Sequence, residues 1–189
     1  LLLLASAPVG QRLGALDIAP DGRLAVVVGS NAFFRVLSLD GDRLVTAFDL
    51  DADDSFEDVR FTPDGRTVVF RAIQGGHSDI FSYSLDTKAF ANLTSDDSYD
   101  FAPAFSPDGQ WLYYSSVQGT KAKIFRIRPG VPGSREQITY GDWNDEDAFV
   151  SPDSKTLYLA SDRINGIYNI FAINLENGET ANYTNVVGG

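Results

Sequence analysis

The chain has 189 residues, 43% of them apolar, enough to bury a sizeable core in one domain or two small ones. Gly and Pro together number 25, too few for a low-complexity or collagen-like chain, and Cys is absent, which excludes disulfides, a thiolate nucleophile and Cys-ligated zinc or iron–sulfur centres. The net charge of -11 opposes phosphate backbones and anionic membrane surfaces, so a protein, peptide or cation partner is favoured over nucleic acid or direct membrane insertion.

At the start, Leu1 to Leu4 precede Ala5-Ser6-Ala7, which reads either as the tail of a signal peptide with a small-x-small site or as a strand. The chain holds no Met and ends in the glycine-containing run Asn185 to Gly189, so it reads as a fragment of a longer protein. No segment approaches the apolar length needed for a transmembrane helix.

Self-similarity is the dominant signal. Pro-Asp followed by Gly or Ser recurs at Pro20-Asp21-Gly22, Pro63-Asp64-Gly65, Pro107-Asp108-Gly109 and Pro152-Asp153-Ser154, spaced 43, 44 and 45 residues apart. Before each Pro, Ile18/Leu16, Phe61/Val59, Phe105/Pro103 and Val150/Ala148 alternate as a short strand. Pro presets φ, Asp bonds its own backbone and Gly tolerates positive φ, so a tight turn follows. The second strand covers Leu24 to Val28, Thr67 to Phe70, Trp111 to Ser115 and Thr156 to Ala160. It is apolar at consecutive positions, which requires a sheet covered on both faces. After a variable loop, a third strand carries Phe33-Phe34, Ile80-Phe81, Ile124-Phe125 and Ile170-Phe171, continuing to Leu37, Tyr83, Ile127 and Ile173. Turn residues follow, and a short fourth strand ends in Leu93-Thr94, Ile138-Thr139 or Tyr183-Thr184, with Phe48 to Leu50 as the degenerate equivalent.

Each repeat is thus a four-stranded antiparallel meander the size of a β-propeller blade. The boundaries are about 8–50, 51–94, 95–139 and 140–184, with 1–7 in the slot of the outer strand of a preceding blade and 185–189 starting the next connection. The fold class is all-β: four consecutive blades of one propeller segment, expected as an open arc of a ring of about six to eight blades. In such an arc the faces carrying Val26, Phe34, Leu157 and Ile170 would be partly uncovered.

Phe105-Ser106-Pro107-Asp108-Gly109, with Leu112-Tyr113-Tyr114-Ser115-Ser116 and Ile124-Phe125, resembles the WD40-like PD40 repeat of TolB-type propellers. The last copy, Ser161-Asp162-Arg163 through Asn169-Ile170-Phe171 to Gly178-Glu179-Thr180 and Tyr183-Thr184, is the nearest match. The resemblance covers nearly the whole chain and is specific for the blade. It implies a non-catalytic scaffold for protein–protein interaction in a periplasmic or secreted protein. Similar blades also serve as accessory, substrate-gating propellers of peptidases and other hydrolases whose catalytic domain lies elsewhere.

The blade-to-blade connections are acidic: Asp51, Asp53, Asp54, Glu57 and Asp58; Asp96, Asp97 and Asp100; Asp142, Asp145, Glu146 and Asp147. A meander brings all of them to one end, where they concentrate negative potential suited to a basic partner or to a calcium ion. Solubility and capping of strand ends is the simpler role for the same acids. Asp49, Asp51 and Asp53 fit the first ligands of an EF-hand, but Asp54 replaces its Gly and Arg60 its bidentate Glu, leaving only a calcium site of another type and no other cofactor. Tyr99 and Trp143 lie among these acids and are candidate anchors for a peptide or sugar. The candidate partner face is therefore Asp96, Asp97, Tyr99, Asp100, Asp142, Trp143, Asp145, Glu146 and Asp147. No catalytic residues are assigned. His77 is the single histidine, which argues against a zincin or a histidine-cluster lyase, and Gly76-His77-Ser78-Asp79-Ile80 lacks the final Gly of a nucleophile elbow. Other aromatics, among them Trp111, Tyr158 and Tyr168, are expected in the core.

Overall fold

The computed structural model describes residues 12–31, 33–39, 43–48 and 55–186, with the backbone alone for 43–48. The proposed strand at 1–7 lies outside them. Two compact units divide the chain, Leu1–Asp97 and Ser98–Gly189, each holding two antiparallel four-stranded sheets. In the first unit, β1 (Leu13–Ile18), β2 (Leu24–Gly29), β3 (Phe33–Ser38) and β4 (Arg43–Phe48) form one meander; β5 (Ser55–Phe61), β6 (Thr67–Gln74), β7 (His77–Ser84) and β8 (Phe90–Asn92) form the next. In the second, β9 (Asp100–Phe105), β10 (Leu112–Gln118), β11 (Lys121–Ile127) and β12 (Glu136–Gln137) are followed by β13 (Asp145–Val150), β14 (Thr156–Ile164), β15 (Ile167–Asn174) and β16 (Thr180–Asn182). These are the four expected blades, and the described residues contain no helix.

Three local devices recur. At the Pro-Asp turn, the hydroxyls of Thr62, Ser106 and Ser151 each donate to the carboxylate two residues on, at 2.6 Å. Each hydroxyl also accepts the backbone N–H of the residue opening the second strand. Asp64, Asp108 and Asp153 accept a further backbone N–H at Arg66, Gln110 and Lys155. Hydroxyl donation chiefly holds all three carboxyls below the usual range. In blade one Ala19 stands where the hydroxyl belongs, and among the described residues Asp21 accepts the Arg23 N–H alone.

The second device fastens the outer strand. The hydroxyls of Thr94, Thr139 and Thr184 accept the N–H of Ile80, Ile124 and Ile170 at 3.1, 2.9 and 2.8 Å. Thr94 and Thr184 also donate to Asp79 and Asn169, the residues just before those isoleucines, both at 3.1 Å. In blade three that position is Lys123, which offers no acceptor.

The third is a bulge in the inner strand, where Asp58, Ala102 and Asp147 take φ of 50°, 51° and 55° and the register with the second strand slips. The expected variable loop between strands two and three is instead a two-residue turn in three blades: Gly75-Gly76, Gly119-Thr120 and Asn165-Gly166. Both residues of the first and last have positive φ, the geometry that matches strand twist, so the second strand runs longer than its apolar core suggested.

Within each unit the blades stack by their apolar faces. In the first, Phe34 meets Phe70 and Tyr83 edge-on, both at 5.5 Å, amid Val26, Val28, Phe56 and Val68. The Asp17 carboxylate accepts the Phe61 N–H from the other blade at 2.7 Å, and a Cβ on Gly14 would stand 2.9 Å from the Phe56 carbonyl. In the second unit Tyr113 and Ile124 face Leu157, Leu159, Phe171 and Ile173. Val26, Phe34 and Leu157 are thus fully buried, contrary to the expectation of partly uncovered faces, because each lies on the side its neighbour covers. Ile170 is exposed, as are Phe149, Tyr168 and Tyr183 on the other side of blade four, so Tyr168 is not a core residue.

Replacing Ser106 with Ala removes the hydroxyl's bonds to Asp108 and to the Trp111 backbone and is expected to cost about 1–2 kcal/mol at neutral pH. The depressed Asp108 carboxyl contributes stability above the unfolded carboxyl value, near ~4, which is lost as pH falls through the lower folded value. Urea unfolding of both proteins should therefore show the gap narrowing below that pH; an equal gap at all pH values would assign the loss to packing alone. The exposed face of blade four should bind a hydrophobic dye, and Phe149→Thr with Ile170→Thr should cut the signal by more than half by the area removed, about 25 cal/mol per Å².

Candidate functional site

In the second unit the acidic connection Tyr140–Asn144 lies beside the β10–β11 hairpin and the end of β14. Asn144 holds it there: its side-chain oxygen accepts the Ala122 N–H at 3.1 Å, while its backbone and side-chain nitrogens donate to Asp162 at 2.6 and 2.8 Å. Burial opposes ionisation of Asp162, but the Asn144 bonds outweigh it and hold its carboxyl below the usual range. Tyr99 adjoins the same hairpin through its backbone carbonyl, which accepts the Val117 N–H at 3.0 Å.

The candidate residues divide by burial. Asp142, Asp147 and Tyr99 are exposed, and Glu146 is half-buried and accepts the Tyr168 hydroxyl at 2.9 Å. Partial burial and that carboxylate push the Tyr168 hydroxyl above its ordinary range. In the first unit, Asp97 is exposed and Asp96 half-buried. Asp100 and Asp145, in contrast, are fully buried, so neither presents a carboxylate to a partner. They occupy the same place in their repeats, seven residues before the Pro, and pair across the sheet with buried Ser116 and Ser161.

Asp145 is the centre of a charge cluster. Arg163 Nη2 reaches its Oδ1 at 2.8 Å, the Trp143 indole N–H donates to Oδ2 at 3.0 Å, and Lys123 Nζ lies 3.6 Å from Oδ2. Lys123 also donates to the Trp143 carbonyl, and both cations lie over the indole, at 5.3 and 5.2 Å from its centroid. Burial lowers the Lys123 ammonium below the usual lysine range, with Asp145 pulling the other way. Trp143 is thus only half-buried but tied inward, its ring so close above Gly141 that a Cβ there would clash with it. Gly141 has φ of 110°, which an L side chain rarely adopts.

Sequence reading singled out neither Lys123, Asn144 nor Arg163. The available signal was Lys123 itself, a cation where the other blades carry Asp79 and Asn169. The Gly76–Asp79 run forms no relay: His77 is exposed, Ser78 buried, and the Asp79 carboxylate is occupied by Thr94 and Asn92. Among the described residues no three His, Asp or Glu side chains converge as a metal site, and Asp49, Asp51, Asp53 and Asp54 lie outside them.

The family profile PD40, TolB beta propeller domain, matches residues 53–187. An uncharacterized protein of Agrobacterium fabrum is 34% identical over 105 residues, half of this chain and 35% of its own length. Dipeptidyl-peptidase 5 of Porphyromonas endodontalis is 31% identical over 81 residues, 37% of this chain and 12% of the peptidase. The chain therefore spans about a third or less of these curated relatives. Among solved structures, a putative TolB from Agrobacterium tumefaciens superposes with TM-score 0.73 at 22% identity, covering 88% of this chain and 63% of that one. TolB from Acinetobacter baumannii gives 0.72 at 19%, covering 91% and 43%. A prolyl endopeptidase gives 0.67 at 14%, covering 91% and 28%, and these three likenesses show the fold.

Asp145→Asn leaves Lys123 and Arg163 buried around a neutral group and is expected to cost about 3–5 kcal/mol, whereas Lys123→Met, which keeps the Arg163 pair, should cost far less. Denaturant unfolding followed by tryptophan fluorescence measures both; equal stabilities for wild type and Asp145→Asn would remove the cluster from any structural role.

Proposed function

Because the chain belongs to the TolB β-propeller family, we propose that it is a non-catalytic segment that holds a protein or peptide partner, in a periplasmic or secreted protein. The observation that carries this reading is the division of the connection acids in the second unit. Asp145 is consumed in holding the blades together, while Asp142 and Asp147 face solvent, as does Tyr99 of the preceding connection. Solvated carboxylates attract a basic segment over a Debye length. The same groups offer no nucleophile with a base and an orienting partner, so chemistry is not assigned to these residues.

The second reading, an accessory propeller that gates or positions substrate for a peptidase domain, is favoured by the relative named as a dipeptidyl-peptidase. In that case the same end would meet peptide substrate rather than a folded partner.

The test is a titration with a terminally blocked lysine decamer at low and high salt. Asp142→Asn with Asp147→Asn should weaken binding about three- to tenfold at low salt, with the difference vanishing near ~0.5 M salt, where the Debye length is only a few Å. Equal affinities at low salt would leave those acids a solubility role. Under the scaffold reading the 189 residues release no product from fluorogenic dipeptidyl substrates; turnover abolished by substituting His77 would refute it.

A further inference from the structure

Two faces of the chain are bare at positions that other blades bury. On the inner strand, the residues seven, four and two places before the turn proline are Phe56, Val59 and Phe61 in blade two, at 1%, 0% and 6% exposure and packed against blade one. Blade four buries Asp145, Ala148 and Val150 at the same places. In blade one those places hold Leu13, Leu16 and Ile18, at 59%, 58% and 51%. The other bare face is on blade four. Ile170 pairs with the residue eight places after the proline, as Phe34 and Ile124 do in blades one and three. Phe34 and Ile124 are fully buried against the following blade, whereas Ile170 is exposed together with Phe149, Tyr168 and Tyr183.

These bare faces are the two halves of one kind of junction. Between blades one and two, the inner strand carrying Phe56, Val59 and Phe61 closes the face that holds Phe34; between blades three and four, Ala148 and Val150 close the face that holds Ile124. The chain thus offers one open copy of each half. The open area is also on the scale of an interface. At about 200 Å² for a whole aromatic side chain, the exposed parts of Phe149, Tyr168, Ile170 and Tyr183 come to roughly 400 Å², about half of the ~800 Å² that each partner contributes to a stable interface, before flanking groups are counted.

Charge points the same way. Arg12 and Asn144 both lie eight places before the proline, and their carbonyls accept the equivalent N–H groups of Ser30 and Asp162. The Asn144 side chain reaches the preceding blade, where it accepts the Ala122 N–H, two residues before Ile124. Two residues before Ile170 stands Tyr168, whose hydroxyl donates to Glu146. A blade-one strand seated on blade four in the same register therefore brings exposed Arg12 beside that carboxylate. We propose that the inner strand of blade one in one protomer docks on the open face of blade four in its partner, a head-to-tail contact between two copies of this chain. A contact between two blade-four faces would instead bring the Glu146 carboxylates of both copies to one interface without Arg12.

Sedimentation equilibrium of the 189-residue chain should give a mass that rises with concentration to the dimer or beyond. Leu16→Thr with Ile18→Thr, and separately Phe149→Thr with Ile170→Thr, should each weaken association more than tenfold, because each strips apolar area from one half of the contact. An equimolar mixture of the two should form a 1:1 dimer and nothing larger, each variant supplying the face that the other lacks. All four side chains are exposed in the single protomer, and thermal melts at high dilution check that both variants fold. Arg12→Glu should weaken association about fivefold at low salt and Arg12→Lys should not, with the difference vanishing at high salt. A wild-type chain that stays monomeric up to about 100 µM would overturn the proposal and leave both faces to other blades. Association unaffected by the folded blade-one variant would overturn it in favour of paired blade-four faces. A folded mixture that stays monomeric, or equal association of Arg12→Glu and Arg12→Lys at low salt, would overturn it as well.

Discussion

A twisted four-stranded sheet whose second and third strands are apolar on both sides cannot stand in water by itself, and the architecture follows from covering those faces. In the first unit, Val26, Val28 and Phe34 of one blade are closed by Phe56, Val68 and Phe70 of the next; in the second, Tyr113 and Ile124 are closed by Leu157, Leu159 and Phe171. Such stacking brings inner strands so near that residue 14 has no room for a side chain, and it lets Asp17 reach across to the Phe61 N–H. Where the face of blade four has no cover, Phe149, Ile170 and Tyr183 are left in solvent.

Polar devices then fix what apolar stacking leaves free. Packing is tolerant of small slides, whereas the hydroxyl–carboxylate turn and the threonine at the end of the fourth strand each demand particular distances. They are local to one blade and can therefore be copied from repeat to repeat. Blade one, which lacks the turn hydroxyl, shows that the turn forms without it, with Asp21 making the remaining backbone bond.

The junction of blades three and four departs from this copying. Replacing the acceptor before Ile124 with Lys123 frees the threonine from a second bond and sends an ammonium across the junction, where the Asp145 carboxylate and the Trp143 carbonyl receive it. One difference in the repeat thus adds an inter-blade contact, while Thr139 still accepts the Ile124 N–H. The same junction leaves Asp142 and Asp147 facing solvent at its end.

Sequence alone determined the repeat period, the strand order, the turn chemistry and which strands are buried on both faces. These rest on residues within a few positions of one another: Pro-Asp-Gly, alternation, consecutive apolar runs. It also placed the connection acids in register, Asp100 and Asp145 seven residues before the Pro and Asp53, Asp97 and Asp142 ten before it, without separating buried from exposed positions. Only the tertiary structure decided which of those acids meet water. Burial of a charge depends on what the facing blade sets against it, and the partners of Asp145 come from Lys123 in the preceding repeat and Arg163 a strand later. Two-residue hairpins in place of variable loops were hidden for a related reason. Gly75-Gly76 and Asn165-Gly166 permit a tight turn, but the length of strand they close is set by pairing along the whole ladder.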